Sequence, residues 1–98
     1  MDVQEDATNG NAYCGVLYAK ADLNTPLGAL SSSVRADLTY QPYGTANKYT
    51  VYGSWVTVSS GNYGYSASPQ EDAQCDEAYG DYQFPDTSAT WSTGWFCF

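Results

Sequence analysis

No histidine occurs among the 98 residues, so neither a Ser–His or Cys–His nucleophile pair nor a histidine metal ligand can be assembled. Positive charge is nearly as scarce. Lys20, Arg35 and Lys48 stand against eleven acidic residues, a formal net charge of −8. Neutralising phosphates takes a clustered basic patch, which excludes nucleic acid as a partner. The same sign repels anionic lipid, and no apolar run approaches the ~18–20 residues that cross a bilayer, so membrane insertion is not expected. Isoleucine is absent, and branched aliphatic side chains come down to five leucines and six valines. So little hydrocarbon with so much charge borders on the composition of a disordered chain.

Rings reverse that reading. Ten Tyr and three Trp are present, and each large aromatic can bury ~150–250 Å². The expectation is a domain whose interior is made largely of rings, the tryptophans included. Length allows one domain with a thin margin of stability.

Cys14, Cys75 and Cys97 form no C-x-x-C pair and no metal pattern. An odd count leaves one bridge plus a spare thiol, an intermolecular link, or three reduced and buried cysteines. Which pair would bridge is open. Few lysines with many Ser, Thr, Asn, Gly and Tyr point to a secreted chain.

Along the sequence, residues 1–12 carry three acids, Asn9-Gly10 and little apolar content. They read as a flexible lead-in or a loosely attached edge, ahead of a single β-rich domain over 13–98. Tyr13–Ala19 reads as a buried strand, and Leu27–Leu30 as a helical turn capped by Thr25. Val34–Tyr40 has the period-two pattern of a half-buried strand: Val34, Ala36, Leu38 and Tyr40 alternate with Arg35, Asp37 and Thr39. Tyr49–Val58 is a long strand with a bend at Gly53 that changes which face is buried. Ser59–Asn62 connects it as a hairpin to Tyr63–Ala67. Ser68-Pro69-Gln70-Glu71 matches a capping box, which predicts a helix over 69–79 closed by Gly80. Ala89–Phe98 reads as an interior terminal strand. The fold class is mainly β, a small antiparallel sandwich or partly open barrel with that one short helix; α+β is the near alternative.

Three motifs invite functional readings. Asp72, Asp76 and Asp81 lie in an acid-rich stretch and are the calcium candidates, but their spacing is not that of a twelve-residue calcium loop; a solvated acidic face is the plainer expectation. Asp86-Thr87-Ser88 resembles the D-T-G/D-S-G triplet of aspartic proteases, with Ser where Gly belongs and Pro85 in front, and is ordinary turn chemistry. Trp55–Ser60 resembles the final strand of an antibody variable domain, and Asp76-Glu77-Ala78 the start of its D-x-A-x-Y-x-C corner. Their order is inverted, the Cys is missing, and the likeness implies no kinship.

Tyr43, Tyr63 and Tyr65 sit near expected turns and are the candidate binding residues, since tyrosine gives contact area at low entropic cost. No metal or cofactor is called for. The function expected is non-enzymatic: a secreted domain recognising a protein partner, in the manner of an inhibitor, effector or toxin. The alternatives are a carbohydrate-binding module that stacks Trp and Tyr rings on a polysaccharide, and a structural subunit that forms homo-oligomers.

Overall fold

The computed structural model describes residues 2–7, 16–28, 30–83 and 88–97. Cys14, the first half of the 13–19 strand and the turn at 85–87, including Asp86, lie outside them. Among the described residues ten strands run in chain order: β1 (Asp2–Ala7), β2 (Val16–Asn24), β3 (Ser32–Gln41), β4 (Tyr49–Tyr52), β5 (Val56–Val58), β6 (Tyr63–Ala67), β7 (Glu71–Asp72), β8 (Cys75–Gln83), β9 (Ser88–Ser92) and β10 (Phe96–Cys97). All pairings are antiparallel, and the strands form two sheets that do not close into a barrel. In the smaller sheet β2 is central, with β1 on one side and β6 and β7 in succession on the other. In the larger, β3 and β8 are central; β4 and β5 flank β3, while β9 and β10 flank β8. The chain crosses between sheets after β2, β5 and β7, the connectivity of a small β-sandwich.

Alternation along the strands decides what fills the space between the sheets. Ala19, Ala21 and Leu23 from β2 meet Val34, Ala36 and Leu38 from β3 and Ala78 from β8, all buried. This corrects the expectation of an interior made largely of rings: its buried part is alanine, valine and leucine, and the rings that join it, Tyr40 and Tyr82, are only partly buried against it. Trp55 and Trp91 are 41% and 55% exposed. Facing sheets bring their residues together in register, and alanine opposite alanine leaves no volume for an indole.

The expected helix over 69–79 is also corrected. Those residues form β7 and most of β8, which pairs with β3 over nine consecutive positions from Ser33↔Gln83 to Gln41↔Cys75. The capping chemistry is present but used differently. The Ser68 hydroxyl accepts a hydrogen bond from the Ala19 amide at 2.9 Å, so the amide it caps belongs to the neighbouring sheet strand rather than to a helix turn. Asp76, Ala78, Gly80 and Tyr82 alternate inward, and a central strand opposite β3 satisfies more backbone than a short helix with Gly80 at its end. Residues 59–62 do not close a hairpin either: β5 pairs with β3 and β6 with β2, so the connection carries the chain from one sheet to the other. Residues 2–7, read as part of a lead-in or loose edge, are an edge strand on β2. Leu27-Gly28 is a turn rather than the start of a helical one, with Gly28 at φ +84°. The terminal segment is an edge broken at 93–95, not an interior strand.

Gly53 is where the bend falls, as its position in the run suggests. Its amide donates to the Ala36 carbonyl at 2.7 Å, and a Cβ there would lie 2.5 Å from the Ala67 carbonyl oxygen. Tyr49 and Val51 face inward before the bend; Val56 and Val58 do so after it. The change of face delivers Trp55 to the surface beside β3.

Cys75 and Cys97, directly opposite on β8 and β10, form a disulfide. It ties a strand of only two residues to the centre of the larger sheet.

Candidate functional site

The outer face of the larger sheet gathers the chemistry. Alternation places Arg35 and Asp37 of β3 on this face, and the register sets Asp81 of β8 opposite Arg35, with Tyr79 and Tyr52 on either side of Asp37. Arg35 is held from several directions. Its Nε lies 2.8 Å from Asp37 Oδ1, and its Nη2 donates to Asp37 Oδ2 at 3.1 Å and to Asp81 Oδ2 at 3.3 Å. The guanidinium lies over the Tyr52 ring at 4.7 Å and the Trp55 ring at 4.8 Å. A planar cation between two rings and two carboxylates is the arrangement that suits arginine and not lysine. Tyr52 remains 58% exposed.

The carboxylates differ in character. Burial, reinforced by the neighbouring Asp81, pushes the Asp37 carboxyl up to about 6 despite Arg35. Burial acts in the same direction on Asp81, but hydrogen bonding with Asp37 and Thr90, together with the charge of Arg35, prevails and holds it below the usual range. The Thr90 hydroxyl donates to Asp81 Oδ1 at 2.6 Å. The Arg35 guanidinium is strengthened as a base, chiefly by its hydrogen bond to Asp37. Two residues along β8, the Tyr79 hydroxyl donates to Glu77 Oε1 at 2.7 Å, which raises the tyrosine's pKa.

The three tyrosines expected to bind do not form one site. Tyr63 and Tyr65 come together on β6, with ring centroids 6.3 Å apart on the outer face of the smaller sheet. They sit on the strand expected over 63–67. The Tyr63 hydroxyl donates to Asp22 Oδ1 at 2.5 Å, which raises its pKa, and Lys20 lies over the Tyr65 ring at 4.9 Å. Tyr43 is exposed in the turn between β3 and β4, at the opposite end of the sandwich from Tyr63, which pairs with Asn24 at the far end of β2.

The calcium candidates do not converge either. Asp76 is buried on the inner face of β8, Asp81 is on the outer face beside Arg35, and Asp72 ends β7. Among the described residues no group of three His, Cys, Asp or Glu is placed to hold a metal ion. Among them, too, no helix is long and apolar enough to cross a membrane.

Sequence reasoning missed the Arg35 cluster. Alternation in 34–40 already puts Arg35 and Asp37 on one face, but Asp81 joins them only through the β3–β8 register, which a helix over 69–79 conceals. Comparisons with protein-family models, curated proteins and solved structures find no match for this chain.

Proposed function

We propose that this is a secreted, non-enzymatic binding domain that recognises a protein partner through the outer face of its larger sheet. The observation that carries the reading is the pre-set cluster of Arg35, Tyr52 and Trp55. Arginine, tyrosine and tryptophan dominate binding energy at protein interfaces, above all where they are central and held in place. Here the two carboxylates fix the guanidinium, and the guanidinium fixes the rings, so little side-chain freedom is left to lose on association. Serine and threonine at Ser33, Thr39, Thr50, Thr57 and Thr90 surround the cluster with polar positions suited to a rim. The carboxylates of this face are engaged by Arg35, Thr90 and Tyr79, an arrangement for holding a surface in shape. Secretion is supported by the Cys75–Cys97 bridge, a bond that persists in oxidising compartments.

Affinity capture from the extracellular fluid of the source organism, using the immobilised chain, tests the reading. A protein retained in stoichiometric amount by the wild type and by Tyr63→Ala/Tyr65→Ala, but lost with Tyr52→Ala/Trp55→Ala, supports it. Equal retention by the wild type and both variants refutes it. Titration with soluble polysaccharides, followed by tryptophan fluorescence, is expected to be flat. A saturable shift would assign the face to carbohydrate instead. Light scattering that shows self-association abolished by the same substitutions would favour an assembly subunit.

A further inference from the structure

All three cations of the chain rest on aromatic rings. Lys20 lies over Tyr65 at 4.9 Å, Arg35 over Tyr52 at 4.7 Å and Trp55 at 4.8 Å, and Lys48 over Trp95 at 4.1 Å. An interior of alanine and valine has turned the rings outward, and the only positive groups available have settled on them. Exposed rings outnumber these cations, since Tyr43, Tyr63 and Trp91 also lie at the surface.

On the proposed binding face the balance is uneven. Glu77 and Asp81 present two carboxylates, with a third, that of Asp37, buried against the single guanidinium of Arg35. Glu77 and Asp81 are four residues apart on one strand, so they share a face at ~13 Å separation, within reach of alternate side chains of an extended peptide. Tyr52 and Trp55 keep solvent-facing area at 58% and 41% exposure.

We infer that the partner of this face is basic: a protein segment bearing arginine, whose guanidinium stacks on the solvent side of Tyr52 and Trp55 while its neighbouring cations meet Glu77 and Asp81. The inference rests on the reading of this face as the binding surface and names the chemistry of what it binds. Arg35 is the internal template, since its own contacts show that a planar cation fits between these rings and carboxylates. Arginine is favoured over lysine because a delocalised plane stacks on a ring and sheds its water more readily than an ammonium. The chain's net charge of −8 speeds approach of such a partner and repels anionic competitors.

Eleven acids attract any polycation, so the test must separate rings from charge. Calorimetric titration of the full chain with hexa-arginine, hexalysine and hexaglutamate, at low and at physiological salt, does this when repeated on Tyr52→Leu/Trp55→Leu. That variant keeps every charge, and an unchanged urea midpoint shows that it is folded. The expected result is saturable binding of hexa-arginine, weaker binding of hexalysine, none of hexaglutamate, and a loss of about tenfold in hexa-arginine affinity in the variant. Equal affinity in the variant would reduce the effect to general acid–base attraction and overturn the inference. So would a flat response to hexa-arginine. If hexa-arginine is flat while capture of a native partner still depends on Tyr52 and Trp55, the face stands and only the basic class of partner fails.

Discussion

Between the two sheets Ala19, Ala21, Ala36, Ala78, Val34 and Leu38 are all at 0% exposure, while on the outer faces and edges Tyr52, Tyr63, Tyr65 and Trp91 are all above 50%. Large apolar groups are ordinarily the first to leave water. Here the small ones hold the inside. The contrast teaches that alternation and register decide burial before side-chain size does. β2, β3 and β8 each carry alanine at the middle of their inward rows, which brings the backbones too close for a ring there, so rings occupy the other parity, the strand edges or, as with Tyr40 and Tyr82, the ends of the inward rows, where they are only partly buried. The interior then supplies stability, and the outer faces are left to supply recognition.

The contrast can be attacked from the inside first. Leu38 is the largest fully buried side chain among the described residues, and Leu38→Ala is expected to cost about 3–4 kcal/mol in urea unfolding. A loss under about 1 kcal/mol would mean that the interior is not where stability resides. Removing the bridge with Cys75→Ala/Cys97→Ala releases a loop with a sequence separation of 22 and should cost about 3 kcal/mol. The same comparison with and without reductant checks it. Ala36→Leu probes whether space really is the constraint: overpacking should cost about 1–3 kcal/mol. If it stabilises instead, the interior had room and the outward placement of rings needs another cause.

The remaining predictions concern the outer faces. Folding raises the Asp37 carboxyl from 3.8 to about 6. The protonated form is thus favoured in the folded chain, and the stabilisation it brings is full below about pH 4 and lost as pH rises through 6. Asp81 is shifted the other way, so its contribution is lost only as pH falls below the ordinary carboxylate value. Asp37→Asn keeps the shape and removes the titration. Relative to wild type, it should gain about 1–2 kcal/mol between pH 4 and 7, read as diverging urea midpoints; parallel midpoints would contradict the assignment. The smallest effect belongs to Tyr63→Ala and Tyr65→Ala: both rings are exposed, so their urea midpoints should stay close to that of the wild type, and a large drop would show that these rings carry stability.

Much of this was legible in the sequence, for local reasons. The 34–40 alternation, the bend at Gly53 and the strand at 63–67 all depend on neighbours within a few residues. The segment 69–79 was not legible, because a capping box says that Ser68 will cap an amide but not which one; the amide of Ala19 is 49 positions away. The ring-filled interior failed for a related reason. Composition counts what is available to bury, whereas the facing of Ala36 by β8 and β2 is a matter of register. The Arg35 cluster needed both pieces of long-range information together, the β3–β8 pairing and the outward turn after Gly53.

Acrylamide quenching of tryptophan fluorescence in the native chain, compared with the urea-unfolded chain, bears most directly on whether the rings are outside. With Trp55 and Trp91 at 41% and 55% exposure, native emission should be water-like and quenching should reach at least half its unfolded efficiency. Blue-shifted emission that acrylamide barely touches would place the indoles in the interior and contradict the account.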